Sequence, residues 1–366
     1  MITQVVEQPG ADPAGHPASV LPAAHRPCGA STSQLRLQRL ALLALSAAIL
    51  IVFCIISLLV GARPVAFSTA FDALFAYDPV SAEHIVIRDY RLPRTLLGLL
   101  CGAAFGVSGA LIQVATRNPL ADPGILGVNA GAAFFVTLAV GLFDFHAVSS
   151  HLWFAFLGAI TVTLLVYAVG SRGRDGATPV RLVLSGVALS AVLGGIGSSI
   201  TLLDPLAFDS LRLWSIGSLA GRNIDVVVTV APFIIFGLVL SVCVAPSLNV
   251  VALGDDPSRA LGANLVRTRI LVVIAVTLLA GAATAAAGPI GFVGLMVPHV
   301  VRWLTGPDQR RIIPFTILCS PILLLAADIT GRLVLFPGEL EAGIVTAFIG
   351  APVLIALARR TRASGI

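Results

Sequence analysis

RLPRTLLGLLCGAAFGVSGALIQVATRNPLADPGILG, residues 91–127, decides the fold. Two arginines bracket a proline, an apolar run follows with glycines at 98, 102 and 106, and two X-Pro turns close it. The stretch Thr95–Thr116 carries no charge and has the roughly 20 residues that a membrane-spanning helix needs. It reads as a membrane helix with a charged end and a tightly built turn at the other.

Composition agrees. The chain has 366 residues, 57% of them hydrophobic and 11% charged, with a mean hydropathy of +0.98. Soluble domains are about one quarter charged, so an all-α, polytopic membrane protein in the cell membrane is predicted, with the bilayer and not nucleic acid as its surroundings. All 23 basic residues are arginine. A Walker A phosphate loop needs its lysine, so any ATP hydrolysis belongs to another chain. Cysteines 28, 54, 101, 243 and 319 are scattered and read as small buried hydrophobes. Residues 1–35 are rich in Pro, Ala and Gly without a period and are expected to form a disordered cytoplasmic tail. A cleaved secretory signal is not expected, because the first apolar run begins only at Leu40.

Charge-free runs occur at Leu40–Ala62, Thr95–Thr116, Gly124–Phe143, Leu152–Ser171, Leu182–Leu203 and Val226–Leu253. Ile270–Val301 is too long for one span and contains Gly288-Pro289, a turn signal, so it divides into two helices. Ile312–Ala327 and Ala342–Ala358 bring the expected total to ten. Basic residues concentrate on the cytoplasmic side. With both termini inside, only Arg63, Arg88, Arg91, Arg94, Arg212, Arg222 and Arg332 of the 23 fall outside.

Gly98, Gly102 and Gly106 share one helical face, where a neighbouring backbone can approach closely. Gly186, Ser190, Gly194 and Ser198 repeat the spacing in the fifth run. Either row serves as a packing face or as the smooth wall of a pathway. Asn118-Pro119 and Asp122-Pro123 each set a capping side chain before a proline suited to a first helical position. In Asp256-Pro257-Ser258-Arg259-Ala260-Leu261-Gly262, Asp256 is expected to cap a helix of about one turn, Pro257 to start it and Gly262 to end it. This segment is an ordered loop or a rigid element presented to a partner.

Asp328 is the main charge within an apolar run, and Arg332 follows one turn later, the spacing of a local ion pair. The mid-membrane carboxylates and histidines of ion-coupled transporters are not evident. No His, Cys, Asp and Glu set has metal-ligand spacing, and no catalytic set is suggested. His299, after Pro298, reads as an interfacial residue. Arg91, Arg94 and Arg332 defy the positive-inside trend. A guanidinium binds carboxylate bidentately, so the three serve an external acidic partner or pair locally with Asp89 or Asp328.

Four blocks in order, residues 91–132, 253–265, 288–302 and 327–355, resemble the FecCD-type permeases, the ABC importer subunits for iron–siderophore, haem and cobalamin uptake. Weaker similarity covers nearly everything after residue 40. The resemblance implies a type II ABC importer permease fold of ten transmembrane helices over residues 36–362. It also implies a second permease subunit (a copy or a paralogue), two cytoplasmic ATPases that carry ATP and Mg, and an extracytoplasmic solute-binding protein. In this chain it implies that Arg91, Arg94 and Arg332 dock the binding protein. It implies that residues 253–265, with Asp256, Pro257, Ser258, Ala260, Leu261 and Gly262, couple to the ATPase, and that the fifth run with Trp214 to Gly217 lines the pathway. The chain itself is expected to hold no cofactor and to catalyse nothing; its expected cargo is an iron chelate, a ferric siderophore first. One departure is Glu339-Leu340-Glu341-Ala342-Gly343, where the family usually has proline in place of Glu341. It adds an acid near the docking arginines.

Overall fold

The computed structural model describes residues 32–61, 64–143, 145, 148–172, 178–335 and 338–363. Most of the tail read over 1–35, with Arg26, Cys28, Arg63 and Arg174, lies outside the described residues. By internal packing the chain divides into Met1–Leu40, of which only the start of the first helix is described, and Ala41–Ile366.

Each apolar run forms a helix, and no strand occurs among the described residues. The first helix, α1 (Thr32–Leu59), is followed by the short α2 (Phe67–Phe75) and α3 (Ala82–Ile85). Then come α4 (Leu92–Thr116), α5 (Val128–Gly141), α6 (Val148–Gly170), α7 (Pro179–Leu203) and α8 (Pro205–Ile216). Next are α9 (Ile224–Val251), the short α10 (Asp255–Ala260), α11 (Leu265–Ala287) and α12 (Val293–Thr305). Last are α13 (Gln309–Val334) and α14 (Ala342–Ala363). Seven stretches are long and apolar enough to cross a membrane, one of them the continuous run Ala82–Thr116 through α3 and α4. The helices α5 and α12 are shorter, and the apolar part of α14 ends at Ala356.

The join between α3 and α4 is a π-helical turn, Val86–Arg91, in which the Leu92 N–H donates to the Ile87 carbonyl. Pro93 explains it. Proline has no N–H to offer the carbonyl four residues earlier, and its ring crowds that turn. The widened turn absorbs the mismatch and lets the helix continue.

At the centre lies α4, with 83% of its apolar window buried, against α9, α11, α12 and α13. Helix association in lipid rests on close van der Waals packing, and the glycine row supplies it. A Cβ at Gly102 would lie 2.6 Å from Pro321 Cα, and one at Gly98 would lie 2.6 Å from Leu325 Cδ2. One at Gly106 would overlap the Ser320 side chain, and one at Gly109 the Gly294 carbonyl. The first glycine row is therefore a seam with α13.

The second row behaves differently. Gly186 of α7 abuts the Ile125 carbonyl, yet nothing lies within 4 Å of a Cβ built at Gly194, and Ser198 is exposed. Only 17% of the α7 window is buried, and only 6% of that of α1. Past α4, the Asp122 side chain accepts from the Gly124 N–H at 2.8 Å and caps the 3-10 turn Pro123–Leu126, as its position suggests. Asn118 instead accepts from the Leu120 N–H at 2.9 Å, an Asx turn with no helix behind it.

Candidate functional site

Arg91, Arg94 and Arg332 come together at one end of α4, lining a cleft of about 450 Å³ with Tyr90 and Glu339. Asp328, the acid paired with Arg94 and Arg332, is fully buried. Arg94 reaches both carboxylate oxygens of Asp328, at 2.8 to 3.1 Å, and offers its remaining nitrogen to Glu339 at 2.7 Å. Arg332 approaches Asp328 from the next turn of α13, its Nε 3.1 Å from Oδ2. Asp328 is thus the pairing partner, whereas Asp89 shows no ion pair among the described residues. Of the two acids before α14, Glu339 meets Arg94 and Glu341 does not.

Two of the arginines do a second task. A helix C-terminus leaves its last carbonyls without intrahelical donors and carries partial negative charge. Arg91 Nη1 donates to the Leu58 and Leu59 carbonyls at 2.8 Å each. Arg332 Nη1 donates to Ser57 O at 2.8 Å and Val60 O at 3.0 Å. The final turn of α1, a helix that buries little else, is therefore held by guanidinium groups from α13 and the π-helical turn. Ser57 Oγ adds a 2.8 Å hydrogen bond to Thr95 Oγ1. Arg91 and Arg332 are 6% and 3% exposed, and the Arg94 side chain 11%. Of the three, Arg94 is the most open to the cleft. Sequence reasoning found the arginines and the Asp328–Arg332 spacing. It missed Glu339 and the carbonyls of α1, because nothing local to either marks a partner so distant along the chain.

The opposite end of α4 carries a second constellation. The short helix does form, but its cap is Gly254 at φ +115, not Asp256. The register is set by Asp255, whose carboxylate accepts from Arg269 Nη2 at 2.9 and 3.1 Å and pairs with Arg117. Asp256 is left with a side chain 98% exposed. Burial would raise the Asp255 pKa, but the hydrogen bonds from Arg269 and Arg117 outweigh it and hold the carboxyl below the usual range. Ser258 is buried and donates to Val250 O at 2.7 Å. Pro257, Ala260, Leu261 and Gly262 are exposed, and Gly262, at φ +75, ends the helix by donating to Arg259 O at 2.9 Å. Leu253 and Val266, before and after Leu261 in the chain, are exposed as well.

Trp214 is buried, and its indole N–H has no hydrogen-bond partner among the described residues. Gly217, at φ +78, lets the chain turn under the α11–α12 loop; its carbonyl accepts from the Gly343 N–H at 3.0 Å, and Ser218 N–H donates to Ala287 O at 2.7 Å. This segment ties α8 to α11 and α14. Among the described residues, no backbone hydrogen bond joins it to the open Gly194–Ser198 part of α7.

A multi-pass helical protein with a cationic cleft at one end and a clasped, protruding helix at the other has the layout of a membrane permease. The chain belongs to the FecCD transport family, whose model matches residues 49–360. It is 48% identical over 318 residues to the ferric enterobactin transport system permease protein FepD of Escherichia coli strain K12, covering 87% of this chain and 94% of that one. It is 43% identical over 307 residues to the Fe(3+)-citrate import system permease protein YfmD of Bacillus subtilis strain 168, covering 84% and 91%. A solved chain described as an inward-facing conformation of a metal-chelate type ABC transporter superposes with a TM-score of 0.78 at 27% identity, over 87% of this chain and 99% of that one.

Proposed function

We propose that this chain is the membrane-spanning subunit of an ABC importer for iron chelates, with ferric siderophores as the principal cargo. The observation that carries the reading is the pairing of two ends on one buried helix, the arginine cleft and the clasped α10, in a chain whose relatives are named for ferric enterobactin and ferric citrate transport. All ten apolar helices cross the bilayer, the shorter ones within the bundle, and both termini face the cytoplasm. The cleft then opens outward. There Arg94 meets a carboxylate of an extracytoplasmic binding protein, and Arg91 and Arg332 hold the wall and add positive field. The exposed face of α10 receives a cytoplasmic ATPase, which supplies ATP and Mg; this chain binds neither. Two permease subunits, copies or paralogues, pair so that the open Gly194–Ser198 face of α7 and the Trp214–Gly217 segment border the passage.

Transport follows as alternating access. Docking of the loaded binding protein and closure of the ATPases each favour one arrangement of the helices, and cargo passes between them. The test is uptake of radioactive iron by cells lacking their own system and supplied with this chain and its partners. Ferric siderophore uptake that requires an intact ATPase is expected. Uptake of labelled cobalamin or haem in its place, or uptake abolished by collapsing the proton gradient while ATP persists, would overturn the assignment.

A further inference from the structure

We propose that Asp255 is a positioning residue that locks α10 to the end of α4, so that α4 carries the movement of α10 along its length to the Arg94 cleft. The inference rests on the transport reading above and names the part that transmits its stroke.

Asp255 is gripped from two directions. Arg269 reaches it from the first turns of α11 at 2.9 Å, and Arg117 reaches it from the last residue of the α4 cap. Arg117 also donates to Val251 O, at 3.3 Å, where α9 ends. It ends α4 in a left-handed conformation, φ +51, as helix C-termini commonly do. Ser258 adds the bond to Val250 O. The short helix is therefore fastened to α4, α9 and α11 by its inward residues, Asp255 and Ser258. Its outward residues, Asp256 and Arg259, have side chains 98% and 69% exposed and, among the described residues, pair only with each other, at 3.8 Å. One side is fixed and the other is offered.

What is fastened to α4 is fastened to a rod. At 1.5 Å per residue, its 25 residues span about 37 Å. Gly102 packs closely on Pro321 of α13, and Gly109 on Gly294 of α12. In the proposed lock, a push on α10 moves α4 and these neighbours together. The far end of the rod is Arg94.

The test uses the whole complex, this chain with its ATPase and binding protein, in proteoliposomes. Asp255→Asn keeps the shape and removes the charge; Asp255→Glu keeps the charge. With Asp255→Asn, the maximal uptake rate is expected to fall about tenfold while half-saturation by loaded binding protein is unchanged, the signature of a lost step and not of lost binding. Asp255→Glu is expected to retain most of the rate. Equal rates in all three proteins, a change confined to half-saturation, or failure of Asp255→Asn to retain its ATPase would each overturn the proposal. The last would make Asp255 an ATPase contact. A second measurement does not depend on those variants folding: spin labels at Arg259→Cys and Leu120→Cys, in a chain with its own cysteines replaced. The distance between them is expected to stay constant from the nucleotide-free to the ATP-bound complex, and a changed distance refutes the lock. If the unaltered complex takes up no iron chelate with ATP, the transport reading itself has failed, and the spin-label distance still judges the lock.

Discussion

Asp328 sits between two guanidinium groups with no water-exposed surface, and this arrangement determines what each residue near it can do. Breaking a buried ion pair from one side leaves the other charge uncompensated, at a cost of about 3–5 kcal/mol. Asp328→Asn is therefore expected to lower the melting temperature of the detergent-solubilised protein sharply, whatever its effect on transport. Glu339 is different. Its side chain is 38% exposed and occupies the one Arg94 nitrogen that Asp328 leaves over. It stands where a docking carboxylate would have to bind. Exposed pairs are worth about 0.2–1 kcal/mol, so Glu339→Gln should tighten docking of the binding protein by up to about fivefold, read by titration. Weaker docking would mean that Glu339 itself meets the partner. At the other end, Asp255 has a depressed pKa. Its contribution is fully present above the ordinary carboxylate pKa of about 3.9 and is lost as pH falls through the lower folded value. Transport coupling should show no titration from this clasp between neutral pH and about pH 5. A midpoint near pH 6 would point to another group.

Ten of the helices were legible in the sequence because each contains an unbroken apolar run, whereas α2, α3 and α8 do not and were missed; the glycine spacing of α4 marked a face. What that face touches was not legible. Gly98, Gly102 and Gly106 and the α7 row look alike in spacing, but the first meets the α13 backbone and the second is open at Gly194. The difference lies in the tertiary neighbours, which periodicity cannot report. The prediction at this scale contrasts them. Gly102→Val puts branched carbons where Pro321 already stands and should abolish the monodisperse peak in size-exclusion chromatography. Gly194→Ala meets no atom within 4 Å among the described residues and should purify normally. A normal profile for Gly102→Val would mean that α4 and α13 can separate. The π-helical turn and the arginine caps on α1 were also beyond reach: Pro93 signals a perturbed turn, but whether the helix stops or widens depends on what holds the residues before it. Asp256 was read as a cap because Asp-Pro is a capping pattern, yet Arg117 and Arg269 fix Asp255, and the helix starts two residues earlier, capped by Gly254.

Orientation is a property of the whole molecule. One spanning helix, α9, separates Arg212 from Arg259 in the chain. If α9 crosses the bilayer once, the two must lie on opposite sides. The arginine asymmetry then chooses between the two orientations, because basic residues stay on the cytoplasmic side. On the orientation proposed above, Arg259, with the Arg117 and Arg269 clasp, is inside, and Arg212, with the Arg94 cleft, outside. Both side chains are well exposed, 63% for Arg212 and 69% for Arg259, so cysteines placed there are accessible to a membrane-impermeant thiol reagent once the native cysteines are replaced. Arg212→Cys should react in intact spheroplasts, and Arg259→Cys only after permeabilisation. Reaction of both from one side would remove α9 as a single span. Reversed labelling would turn the cleft toward the cytoplasm, and with it every role assigned to the arginines as a site for an external partner.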